Sequence, residues 1–171
     1  LAPDVRTPHI DSIAKNGVRF TDGYVTAPQC SPSRAALLTG RYGARFGFDE
    51  INDCPLPPEE ATLAERLRDA GYATGMVGKW HLDPNDGSRA WLEKHGIARE
   101  DAAKGLPREL TKPYQPETRG FSDVFDGHMK SYFANYGLDG KDIPGGRRIL
   151  DERFRVDVQT DAALAFIGRH K

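Results

Sequence analysis

Thr62-Leu63-Ala64-Glu65-Arg66-Leu67-Arg68-Asp69-Ala70-Gly71-Tyr72-Ala73-Thr74-Gly75-Met76-Val77 sets a helix, a glycine and a strand in direct succession. Thr62 and Glu65 stand three apart in a capping-box pattern: the hydroxyl accepts from an early helical N–H while the carboxylate reaches back to the cap. The spacing predicts a helix from Leu63 to Ala70, ended by Gly71, and a strand from Tyr72 to Val77. Helix, glycine, strand and polar turn is the grammar of an α/β sheet with parallel strands. Upstream, Thr7-Pro8 suits a helix start, Ile10 and Ile13 share a face, and Gly17 is a stop. Val18 to Phe20 and Tyr24 to Thr26 read as short extended stretches, and Ser31-Pro32 opens a helix that Gly40 closes. Downstream, Asp83 to Glu117 is polar, with one helix around Arg89 to His95, and reads as a surface insertion. Gly120 to Phe125 reads as a short structured segment. The last helix spans about Val156 to Arg169, with Val158, Ala162, Ala165 and Phe166 on one side. Central strands of such a sheet are continuous apolar runs, and the best candidate, Ala73 to Val77, is mild. Most central strands are therefore expected outside these 171 residues.

A chain of 171 residues fits one domain or a large part of one. Lys and Arg number 24 against 25 Asp and Glu, so no basic footprint for nucleic acid or an acidic membrane is present. No apolar run approaches the ~20 residues of a membrane span. Apolar residues are 38%, charged residues 29%, and the mean hydropathy is −0.61. That is polar, yet aromatic and aliphatic residues recur along the chain, which argues against wholesale disorder. The two cysteines, Cys30 and Cys54, cannot form a disulfide framework and do not decide the compartment. Because the sequence opens on Leu1 rather than Met, it is expected to continue a longer one.

The segment richest in chemistry is Cys30-Ser31-Pro32-Ser33-Arg34-Ala35-Ala36-Leu37-Leu38-Thr39-Gly40-Arg41. It sets a cysteine at the entry to a helix, where unpaired N–H groups and the dipole favour anions. Arg34, four residues on, projects toward the same end as a fixed cation, and Leu37 and Leu38 are expected to anchor the helix. By itself a lone cysteine here reads first as a small buried residue before an ordinary helix. Lys79 and His81 stand two apart at the expected end of a strand, so their side chains can point to one side.

The cysteine segment matches C-x-P-S-R-x-x-L-L-x-G-R and resembles the sulfatase family at every specified position. Thr7-Pro8-His9-Ile10-Asp11, Gly17 to Phe20, Pro57 to Tyr72 and Gly78-Lys79-Trp80-His81-Leu82 resemble sulfatase segments in order and spacing. Gly120-Phe121 and Thr160-Asp161 are similar more loosely. The resemblance implies a type I sulfatase on an alkaline-phosphatase-like α/β fold, with a mostly parallel central sheet flanked by helices and incomplete in this chain. Residues 1–171 are then the N-terminal portion of one catalytic domain, lacking its first strand and its downstream remainder, with 83–117 as an insertion.

The resemblance further implies that a formylglycine-generating or anaerobic sulfatase-maturing enzyme oxidises Cys30 to formylglycine. One hydroxyl of the hydrated aldehyde attacks sulfur, and the other drives out sulfate. Cys30 is thereby the catalytic nucleophile and, as formylglycine, a ligand of a Ca²⁺ or Mg²⁺ ion whose other ligands lie elsewhere. Arg34 is expected to hold the diol, and Lys79 and His81 to bind the sulfate oxygens. His128 and Ser131 are a further candidate substrate contact or part of a solvated loop. Asp83 stands where the family often has Gly, which weakens the resemblance at that turn. The expected substrate is a sulfate ester, and the expected location is periplasmic or secreted, although no leader is visible. Two other readings fit the same residues: a formylglycine-dependent phosphonate or phosphate ester hydrolase, and a non-catalytic relative that binds sulfated ligands.

Overall fold

The computed structural model describes residues 4–127 and 129–171. Helix α1 is Pro8–Asn16, α2 Cys30–Thr39 and α3 Leu63–Asp69, followed by strand β1, Gly75–Gly78. Three short helices come next: α4 Arg89–Lys94, α5 Arg99–Ala102 and α6 Arg108–Thr111. Strands β2 (Asp123–Gly127), β3 (Ser131–Tyr136) and β4 (Asp142–Leu150) precede α7, Arg155–Arg169.

The capping box forms as the sequence implies. Thr62 Oγ1 accepts from the Glu65 N–H at 3.1 Å, and Glu65 accepts from the Thr62 N–H at 2.7 Å. Gly40 caps α2 at φ +68°, a left-handed conformation suited to glycine.

The four strands lie in the order β1-β2-β3-β4. Only β1 and β2 are parallel among the described strands, with Gly75 opposite Asp123 and Gly78 opposite Asp126. The pairs β2–β3 and β3–β4 are antiparallel. The α/β class is as read from the sequence, but this part of the sheet is mixed rather than mostly parallel. The difference is the β3–β4 hairpin, whose second strand contains Pro144-Gly145-Gly146-Arg147-Arg148 and reads as a loop. Val18 to Phe20 and Tyr24 to Thr26 form no strand, and all six residues are exposed. β1 also starts at Gly75, three residues later than expected.

Two apolar clusters fix the geometry that matters. Val158 and Ala162 of α7 pack on Phe125, Tyr132, Ala134 and Tyr136, which makes one face of β2–β3 the inner one. α7 approaches β1 so closely that a Cβ on Gly75 would meet the Phe166 ring at 2.6 Å. Ala35 of α2 joins Phe48, Cys54, Leu56, Trp80 and Leu82 in the second cluster, locking α2 against the segment that leaves β1. Leu38 packs there, whereas Leu37 is 77% exposed. Residues 83–117 carry a small cluster of their own around Trp91, Leu92 and Ala102. Trp80 Nε1 ties that stretch down by donating to the Tyr114 carbonyl at 2.8 Å. α1 buries no residue. No helix of the described residues is long and apolar enough to cross a membrane.

Candidate functional site

Cys30 occupies the first position of α2, directly after the extended Gln29, and its side chain is exposed. Its Sγ lies 3.3 Å from His81 Nδ1, and Ser31 Oγ lies 3.1 Å from the same nitrogen. The helix entry and the segment after β1 therefore meet, although they are far apart in sequence. Arg34 reaches across the same junction: Nη1 donates to the Lys79 carbonyl at 2.5 Å. In this structure it clamps α2 to the strand exit, a positioning contact that spacing alone did not reveal.

Lys79 and His81 do not alternate along a strand, because β1 ends at Gly78 and His81 has φ +59°. A left-handed backbone in an L-residue costs about 1–2 kcal/mol, so its surroundings must hold it. They do so through the backbone on every side. Trp80 N–H donates to Asp126 Oδ1 at 3.0 Å, the Cys54 thiol donates to the His81 carbonyl at 3.7 Å, and Leu56 N–H donates to the Leu82 carbonyl at 3.0 Å. Lys79 and His81 still line one cavity of about 350 Å³, together with Asp83, Asp126, Ser131 and Arg148. Ser131 thus lines this cavity, with its Oγ accepting from Arg148 Nη1 at 2.9 Å, whereas His128 lies outside the described residues.

Burial pushes the Asp126 carboxyl up to about 6; the Trp80 N–H opposes this, the Asp83 and Glu117 charges add to it, and Arg148 opposes it. Burial also raises Asp83, against a hydrogen bond from Gln115. Sequence reasoning missed Asp126, since a lone carboxylate at a strand end carries no pattern. Below about pH 6 it is neutral, and above that it adds a negative charge to a cavity that holds a cationic lysine. For an anionic substrate, kcat/KM is expected to fall roughly five- to tenfold as pH rises through this range, the scale of one close, partly screened repulsion. Asp126→Asn should remove that limb from a profile measured between pH 4.5 and 8. A variant profile that overlays the wild type contradicts the assignment. By linkage, the raised value also means that folded-state stability is present at low pH and lost as pH rises through about 6.

The two cysteines differ in kind. Burial raises the Cys54 thiol to about 11, partly offset by a hydrogen bond with Ser31, and Cys54 is 2% exposed. Cys30 is open to solvent. A thiolate-selective alkylating reagent applied to native, unprocessed protein is expected to label Cys30 and spare Cys54. Equal labelling of the two contradicts that ordering.

Among the described residues, no group of three or more His, Cys, Asp or Glu side chains is placed to hold a metal. A hard cation takes about six or more oxygens, so the described residues do not by themselves make up the Ca²⁺ or Mg²⁺ site that the resemblance implies.

The family model described as Sulfatase matches residues 2–159. An arylsulfatase of Hemicentrotus pulcherrimus is 47% identical over 177 aligned positions, covering 96% of this chain and 30% of that protein. Arylsulfatase A of Homo sapiens is 52% identical over 117, covering 66% of this chain and 21% of its own. The crystal structure of Ps i-CgsB superposes with a TM-score of 0.65 at 26% identity, over 98% of this chain and 37% of that one. The chain thus spans less than a third of the length of these two curated relatives.

Proposed function

The chain belongs to the sulfatase family, and we propose that the full-length enzyme of which it is the N-terminal part hydrolyses sulfate esters at Cys30, after that residue has become formylglycine. The observation that carries this reading is the 3.3 Å approach of Cys30 Sγ to His81 Nδ1: Cys30 lines one cavity with Arg34, His81 lines another with Lys79, and this contact joins the two. It sets a nucleophile precursor at a helix entry in contact with an imidazole nitrogen, and that same histidine lines the cavity of Lys79, where an anionic ester group can lie. The exposed Cys30 is also open to a maturing enzyme, either of the formylglycine-generating or of the anaerobic kind.

In the proposed reaction, one hydroxyl of the hydrated aldehyde at position 30 attacks sulfur, and the S–O bond to the alcohol breaks. The alcohol leaves with a proton, and sulfate remains esterified to the former diol. The second hydroxyl then gives up its proton, the carbon–oxygen bond to sulfate breaks, and sulfate and aldehyde result; water rehydrates the aldehyde. Lys79 balances the sulfate charge and His81 Nδ1 stands within reach of the hydroxyl protons. Arg34 and Asp126 act on the backbone that carries these two side chains. The family's divalent cation, Ca²⁺ or Mg²⁺, would meet the oxygen at position 30 and draw its other ligands from beyond this chain, so these 171 residues alone are proposed to be inactive.

Parallel rates on matched aryl sulfate and aryl phosphate esters, with the full-length matured enzyme, test the reading. Faster sulfate release supports it. Faster phosphate release transfers the site to phosphorus esters, and binding of the sulfate ester without turnover of either would make the protein a receptor.

A further inference from the structure

A second cavity of about 440 Å³ adjoins the reaction cavity, and the two share the Phe133 ring as a wall. Register explains the continuity. Phe133 pairs with Asp126 on β2 and with Arg148 on β4, so these three side chains form one row on the sheet face opposite Tyr132, Ala134 and Tyr136. On that same face Ser131 lines the reaction cavity and Asn135 the second one. From Ser131 to Asn135 the strand covers about 13 Å, well beyond a single six-membered ring.

The second cavity has the chemistry of a sugar-anion site. Its Arg108 and Lys112 side chains make no ion pair or hydrogen bond with the described residues, and they face a cavity that also holds Gln115 and Glu117. The tip of the Phe133 ring comes against Gly146, where a Cβ would lie 2.3 Å from Cζ, and Gly146 itself has φ +65°. Gln115 links the two cavities, since its Nε2 donates to Asp83 Oδ2 at 3.4 Å. An aromatic face, amide and carboxylate groups for hydroxyls, and two unpaired cations suit a charged sugar better than a bare aromatic ring.

Resting on the sulfatase reading, we propose that the substrate is an extended anionic glycan, whose neighbouring sugar packs on Phe133 and presents a sulfate or carboxylate to Arg108 and Lys112. The site then selects chain over monomer: the scissile sulfate lies by Lys79 and His81, and the next unit lies beyond the Phe133 ring.

The test uses full-length matured enzyme and a small aryl sulfate as reporter, with purified sulfated tetrasaccharides of galactan, chondroitin and heparin as competitors. At least one tetrasaccharide is expected to inhibit. Arg108→Ala combined with Lys112→Ala should raise its inhibition constant about tenfold or more, as loss of charge-assisted hydrogen bonds does, with KM for the aryl sulfate unchanged. No inhibition by any tetrasaccharide, or an inhibition constant unaltered by the double substitution, overturns the second subsite. A parallel rise in KM for the aryl sulfate overturns it as well, because the two residues would then act on the reaction cavity. A wild-type enzyme that leaves the aryl sulfate intact overturns the sulfatase reading itself, which is a separate result.

Discussion

Cys30→Ser, in full-length enzyme produced without a maturing enzyme, is expected to end turnover while leaving sulfate attached to the protein. A single hydroxyl can attack sulfur, but the resulting sulfate ester has no second hydroxyl to drive it out. The geometry keeps the rest of the site in place: α2 still enters at position 30, and His81 Nδ1 still bonds Ser31 Oγ at 3.1 Å. Steady-state kcat should therefore drop on the order of 10⁴-fold or more, the scale seen when a covalent nucleophile is disabled. At most one alcohol should appear per active site, and peptide mass spectrometry should find sulfate on the introduced hydroxyl. Repeated turnover by that variant contradicts a diol mechanism.

The second large effect is on folding. Arg119 is 2% exposed and makes contacts that no motif announced. Its guanidinium donates to the carbonyls of Leu56 at 3.2 Å, Pro57 at 3.3 Å and Glu60 at 2.5 Å, and it pairs with Glu65 at 3.4 Å. It thus pins the loop before α3 to the capping box, whose Thr62 hydroxyl donates to the Arg119 carbonyl at 2.9 Å. Burial alone would raise the Glu65 carboxyl, but the Thr62 N–H and the Arg119 charge outweigh it and hold it below the ordinary range. That contribution is present above the carboxyl's ordinary value and is lost as pH falls through the lowered one. Arg119→Met preserves bulk while withdrawing the donors from the Leu56, Pro57 and Glu60 carbonyls and the cation from Glu65; Pro57 keeps the Glu60 N–H and Glu65 the Thr62 N–H. The expected cost is about 3–5 kcal/mol, read as a drop in the denaturant midpoint of the full-length protein or as loss of soluble yield. A midpoint within experimental scatter of the wild type contradicts the clamp.

The sequence carried the helices and the α/β class because their signals are local. Thr62 with Glu65, Pro8, Gly40 and Gly71 are punctuation that acts within one turn, and α1, α2 and α3 begin and end close to where those residues direct, while α7 follows the apolar spacing of Val158, Ala162, Ala165 and Phe166. The hairpin was hidden for a different reason. β4 is held by pairing with β3 and not by its own apolar residues, so Pro144, Gly145 and Gly146 outweighed it in a local reading. β3 did carry a signal, the buried alternation of Tyr132, Ala134 and Tyr136, which period-two counting would have caught. At the site, the cysteine segment and the Lys79-Trp80-His81 run were legible as motifs. What joins them was not: Arg34 on the Lys79 carbonyl, Asp126 on the Trp80 N–H and the left-handed His81 are tertiary facts. Leu37 marks the converse case, an apolar residue that the helix pattern would bury and that this chain leaves exposed.

The most direct test of the account is peptide mass spectrometry across position 30 of the full-length enzyme, made together with a maturing enzyme and assayed on an aryl sulfate. The account predicts that sulfur is exchanged for oxygen with two hydrogens lost, and that turnover scales with the converted fraction. Sulfate release by enzyme whose Cys30 remains an intact thiol would contradict it.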